Sequence, residues 1–117
     1  MNENVPGKVT IAPEVLVTIA QLTTQDVRGV RRMSVDWTRG MNRVFGVVHT
    51  GDGVQVRVKD SRVRVDLYIV VDHDVSMLQI GRRVQAEVTR AIEKMVGMEI
   101  EEVNVHVEDV CYPPAEA

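Results

Sequence analysis

VQVRVKDSRVRVDLYIVV, residues 54–71, alternates valine with polar side chains on both sides of Lys59-Asp60-Ser61-Arg62. Alternation at period two marks a strand with one buried face. Asp60-Ser61 can reverse the chain as a two-residue loop, which makes the stretch a hairpin. In that register Val58 faces Val63, Val56 faces Val65 and Val54 faces Leu67, all on one side. Arg57, Lys59, Arg62 and Arg64 then share the other side. A slip of one residue would put every valine in water, so the register is well specified.

Working outward, Asp72-His73-Asp74 ends the second strand and Val75-Ser76 opens a helix. Ser76 is the N-cap, Gln79 completes a capping box, and Val75 packs on Ile80 as a hydrophobic staple. Met77, Ile80, Val84, Val88, Ala91, Ile92 and Met95 form the expected buried stripe, and Gly97 ends the helix. Glu101 to Val110 is the last strand, with Val103, Val105 and Val107 inward and Glu102, Asn104, His106 and Glu108 outward.

Upstream, Lys8 to Ala12 (KVTIA) is expected as a short edge strand with Val9 and Ile11 on one side. Pro13 opens a first helix at the position where its missing N–H costs nothing. Val15, Leu16, Ile19, Ala20 and Thr23 form its stripe, widened by Val17 and Leu22. A helix apolar over so much of its girth is buried or packed on another chain. Gly29 caps the exit, and Val30 to Trp37 reads as a strand with Met33, Val35 and Trp37 on one face. Thr38 to Gly53 is the least readable stretch, a long loop with room for a short strand or helix.

The order is β-α-β-β-β-α-β: an α+β two-layer sandwich, with a mostly antiparallel sheet and two helices on one face. Residues 1–6 and 111–117 are expected as flexible tails around one domain spanning 7–110.

Composition narrows the function. The chain has 117 residues, 14 Lys and Arg against 17 Asp and Glu, and a net charge of −3. That balance opposes a general nucleic-acid or membrane binder, and an aromatic content of 3 % leaves few platforms for stacking bases. The single cysteine, Cys111, cannot close an internal disulfide and suits a reducing cytoplasm. No stretch approaches a membrane span or a signal peptide.

No catalytic, cofactor-binding or metal constellation is legible. Asp72-His73-Asp74 places its side chains in diverging directions, which suits a polar strand end better than a metal site. His106 with Asn104 and Glu108 reads as a solvated strand face. Cys111 lacks a basic neighbour that would activate it. The sharpest feature is the basic face of Arg57, Lys59, Arg62 and Arg64, the candidate interaction face for an anionic partner. A solvated face relieved by Asp66 and by glutamates of a neighbouring strand is the plainer reading. RNA or other nucleic acid is the alternative partner, and exposed strand edges offer a second route to pairing with an identical chain.

Three stretches resemble the alkaline shock protein family. They are GKVTIAPEVLVTIA at Gly7 to Ala20, VDLYIVVDHDVS closing the hairpin, and the run from Val75 to Val110 that ends in GMEIEEVNVHVEDV. The resemblance covers Gly7 to Val110. It implies a cytoplasmic, non-enzymatic protein without cofactors that associates with itself and acts in envelope homeostasis or stress response. It also implies tethering beneath the membrane through an integral membrane partner, with no insertion of its own. Two departures stand out: Thr38 to Gly53, with Met41, Phe45 and His49, matches no family pattern, and the tail after Val110 is short.

Overall fold

The hairpin forms as its alternation dictates. A computed structural model of the protein describes residues 6–35 and 48–113. In it β3 (Val54–Lys59) and β4 (Arg62–Asp72) pair antiparallel with Val58 opposite Val63, Val56 opposite Val65 and Val54 opposite Leu67. Asp60 and Ser61 both take the left-handed conformation, with φ of 52° and 65°. That is the two-residue turn whose twist matches paired strands.

Strand β4 organises the sheet. Its 11 residues exceed the reach of β3, so its first half pairs with β3 and its far end pairs antiparallel with β1 (Val30–Met33). Its other edge pairs along its whole length with β5 (Glu99–Cys111), in parallel. A short β2 (Val48–Gly51) extends the sheet beyond β3. The parallel pair is joined by α2 (Met77–Met95), since parallel neighbours need a crossover. The result is a two-layer α+β fold with a five-stranded, mostly antiparallel sheet and two helices.

Both helices cover the valine face. Val54, Val56, Val63, Val65, Leu67, Ile69 and Val71 are fully buried there. Helix α1 (Pro13–Gln25) presents Leu16, Val17, Ala20 and Thr24, and α2 presents Ile80, Val84, Val88 and Ile92, one per turn. The Ser76 hydroxyl accepts a hydrogen bond from the Gln79 amide at 3.3 Å and caps α2 as its sequence indicates.

Several expectations change. Lys8 to Ala12 pairs with none of the described strands and is exposed: alternation supplies strand propensity but not a partner edge. Val15 and Leu22 are 43 % and 60 % exposed, because the core row of α1 runs through Leu16, Ala20 and Thr24 and leaves them on the outer side. Met77 and Met95 share the direction of the α2 core row, yet they are exposed because the helix ends overhang the sheet. Strand β1 stops at Met33, and Val35 beyond it is exposed; Trp37 lies outside the described residues. The unreadable loop does contain a strand, β2; its residues 38–47 lie outside the described ones.

The point where β1 ends and β3 begins along β4 is tight. The Tyr68 carbonyl accepts from the Ser34 amide at 2.7 Å, and the Tyr68 amide donates to the Gly53 carbonyl at 2.8 Å. Gly53 has φ +70°, and a β-carbon there would lie 2.7 Å from the Tyr68 carbonyl oxygen and 2.9 Å from that of Ser34. Gly53→Ala should therefore cost about 2 kcal/mol or more, read as a lower urea midpoint with an unchanged slope. Ser61→Gly should raise the midpoint by about 0.5–1 kcal/mol, because it removes the left-handed strain at the hairpin turn.

Candidate interaction face

Alternation sends every second residue of β3, β4 and β5 to the sheet face away from the helices. Arg57 stands opposite Arg64, and Lys59 opposite Arg62, so the four cations share that face as their spacing indicates. Like charges placed this way repel. The parallel register answers them by bringing the glutamates of β5 alongside: Arg62 is level with Glu99, and Arg64 with Glu102. Arg64 Nη2 meets Glu101 Oε1 at 3.2 Å and Arg64 Nε meets Glu102 Oε1 at 3.8 Å, while Arg62 Nε approaches Glu99 Oε2 at 3.9 Å. The hydrogen bond from Arg64 holds the Glu101 carboxyl below its ordinary range, and the same bond raises Arg64.

Arg57 and Lys59 form no ion pair among the described residues. They line a cleft of about 400 Å³ together with Asp60, Arg62, Arg64 and Glu101. The Arg57 Nε and the Gln55 Nε2 are both buried without a hydrogen-bond partner among the described residues. Two of the four cations, Arg62 and Arg64, are thus paired with glutamates of β5, which leaves Arg57 and Lys59 as the cations of this face without an ion pair among the described residues.

Farther along the same face the structure assembles a group that sequence reading did not. His106 Nε2 lies 3.0 Å from Asp66 Oδ1, and the His106 ring stacks on Tyr68 with centroids 4.4 Å apart and an angle of 12°. Burial, then the negative charges of Asp66 and Glu108, push the Tyr68 phenol up, against a smaller opposing effect of Arg57. Asp66 and His106 are 40 positions apart. Only the parallel β4–β5 register joins them, and no local pattern encodes that register. An aspartate–histidine pair can orient a general base, but among the described residues no serine, threonine or cysteine hydrogen-bonds His106.

The other candidates stay apart. Asp72 ends β4, His73 and Asp74 are exposed, and the His73 ring lies 5.6 Å from that of Tyr112. Cys111 is half-buried at the end of β5, level with Asp72. No group of three or more His, Cys, Asp and Glu among the described residues could hold a metal ion.

The outer edge of β5 is a second candidate surface. Strand β5 pairs only with β4 among the described strands. Between its outer edge and the start of α2 runs a groove of about 390 Å³ lined by Met77, Leu78, Gly81, Val105 and Val107 together with the polar Arg82 and Gln85. Met77 and Leu78 are 42 % and 68 % exposed. The Gln85 Nε2 donates to the Val103 carbonyl at 3.0 Å and so occupies that edge at one point only. The exposure of Met77 and the pairing of β5 with β4 are both tertiary outcomes, so the groove carries no sequence signature.

A protein built this way has a βαβ unit, an antiparallel hairpin and a free acidic edge. It belongs to the alkaline shock protein 23 family, described as having a cell envelope-related function, whose family model matches residues 1–112. Two Bacillus subtilis proteins are similar to it along most of their length. YqhY is 36 % identical over 101 residues, covering 86 % of this chain and 75 % of YqhY. YloU is 24 % identical over 106 residues, covering 89 % and 88 %. Both are uncharacterized proteins. Among solved structures, the copper form of the MamM CTD superposes with a TM-score of 0.58 at 20 % identity, over 88 % of this chain and 91 % of that one. At that identity the likeness concerns the fold.

The Glu101 carboxyl carries a pH dependence. Its folded value lies below the ordinary 4.5, so its pairing with Arg64 stabilises the fold above that pH and is lost as pH falls through the lowered value. Arg64→Gln should move the Glu101 midpoint, followed by carboxyl NMR, back up toward the ordinary value and make the acid limb of the stability curve shallower.

Proposed function

We propose that this protein is a non-enzymatic interaction protein that associates with itself and acts in envelope homeostasis or stress response. It works at the cytoplasmic side of the membrane through a membrane-protein partner. Membership of a family with a cell envelope-related function supports the setting. No helix of the described residues is long and apolar enough to cross a membrane, which favours a partner as the link. The observation that carries the self-association reading is the β5 edge: a strand of 13 residues that no described strand joins on its outer side, flanked by exposed Met77 and Leu78. Unpaired edges and exposed apolar grooves are the features that natural domains use to join chains.

Nucleic-acid binding by Arg57, Lys59, Arg62 and Arg64 is the second reading, and Arg57 and Lys59 favour it. The glutamates paired with Arg62 and Arg64 oppose it, because a phosphate backbone would have to displace or approach them.

Sedimentation velocity over a hundredfold concentration range separates the two. Average mass should rise with concentration at low and moderate salt alike, because Met77, Leu78, Val105 and Val107 give the groove an apolar part that salt does not screen. A strictly monomeric chain would remove the self-association reading. Single-stranded RNA should bind no tighter than about 10⁻⁴ M at physiological salt, a non-specific level. Tighter, salt-sensitive binding that disappears when all four cations are changed to glutamine would favour the nucleic-acid reading instead.

A further inference from the structure

We infer that the β5 edge receives the segment Lys8 to Ala12 of a second copy of this chain as an added strand. This deepens the self-association reading and rests on it. The segment has the pattern of a strand but pairs with none: Val9 is 91 % exposed and Ile11 44 %. Such a large exposed valine beside an exposed isoleucine, two positions apart, offers one apolar side of a short strand. Among the described residues its backbone joins no ladder, and the Ala12 carbonyl at its end accepts from the Val15 amide at 2.9 Å to open α1.

The groove, which Arg82 and Gln85 also line, matches that segment in the spacing of its apolar side chains. Val105 and Val107 of β5 are also two apart, on the helix side, and Met77 and Leu78 wall the groove above the free edge. Gln85 occupies the edge at Val103, so among the described residues the unoccupied part runs from Val105 to the end of the strand, with a register shift between Val107 and Asp109. A strand added there turns Val9 and Ile11 toward Met77 and Leu78. Its other side, with Lys8 and Thr10, faces Glu108 and Asp109, which form no ion pair among the described residues. An opposite-signed register also distinguishes this occupant from a second β5. Antiparallel pairing of two β5 strands about Val105 would set Glu102 against Glu108, a like-charge contact.

The donor is another copy because of where the segment begins. It leads directly into α1, which rests on β1, β2 and β3, on the far side of β4 from β5. Donor segment and acceptor groove are different surfaces. The contact is therefore heterologous and extends head to tail, into a ring or an open chain, rather than closing as a two-fold dimer.

The test uses the full chain with Val9→Asp, with Leu78→Glu, and with an equimolar mixture of the two. Both positions are exposed, and unchanged urea midpoints check that each variant folds. Each variant alone should stay monomeric where the parent assembles, a loss of about tenfold or more in affinity. The mixture should recover a single contact and stop at a dimer, because one variant keeps its groove and the other its segment. Assembly of either variant as tightly as the parent, or a mixture that stays monomeric, overturns the strand-addition inference while the self-association reading stands. A parent chain that never assembles removes both.

Discussion

Burial of one face of β4 is the constraint on which the rest depends. Five of its side chains, Val63, Val65, Leu67, Ile69 and Val71, are fully removed from water. Each buried aliphatic side chain of this size contributes about 1.5–3 kcal/mol relative to exposure. Among the described strands β4 is the one that serves three neighbours. The β3 hairpin satisfies one edge near the turn, β1 continues that edge, and β5 covers the other from end to end. The two helices then have one place to put their apolar rows. The crowding at Gly53 follows from the same geometry, because two strands must meet end to end along a single partner.

The parallel pairing of β4 with β5 shapes the polar face as strongly as the core. It lays a row of glutamates beside the arginines of the hairpin and turns a repulsive patch into a partly neutral one. It also brings Asp66, Tyr68 and His106 together. The cost of the arrangement is an edge: β5 is covered on one side by β4 and roofed by α2, and among the described residues Gln85 caps its outer backbone at Val103. Natural sheets often blunt such edges with charge, and here Glu108 and Asp109 serve in that way while leaving the apolar helix-side wall open. A strand that arrives with a lysine and two apolar side chains meets complementary surroundings, whereas a second acidic strand does not.

Comparison of sequence and structure separates local from non-local encoding. The hairpin register, the Ser76–Gln79 cap and the one-per-turn row of Ile80, Val84, Val88 and Ile92 follow from nearest-neighbour patterns, and all are present. Failures occur where a pattern needs something elsewhere in the chain. KVTIA alternates like a strand but has no edge to join. Val15 and Met77 fit their helical stripes, yet which residues of a stripe are covered depends on the angle and overhang of the helix on the sheet. For the candidate face, the four cations were legible one by one; their partners Glu99, Glu101 and Glu102 were not, beyond a general expectation that glutamates would come near.

By itself, then, the sequence determined the elements with short-range logic: two helices, the central hairpin with its register, the closing strand, the absence of a local catalytic motif and the family resemblance. These rest on side-chain periodicity, capping and turn chemistry, all of which act within a few residues. Only the tertiary structure decided which strand lies beside β4 on each edge, which charges are cancelled, and which edge and groove are left open. Those outcomes depend on the crossover through α2 and on how the helices lie on the sheet. They are set by packing the whole chain around one buried face, and no single segment contains that information.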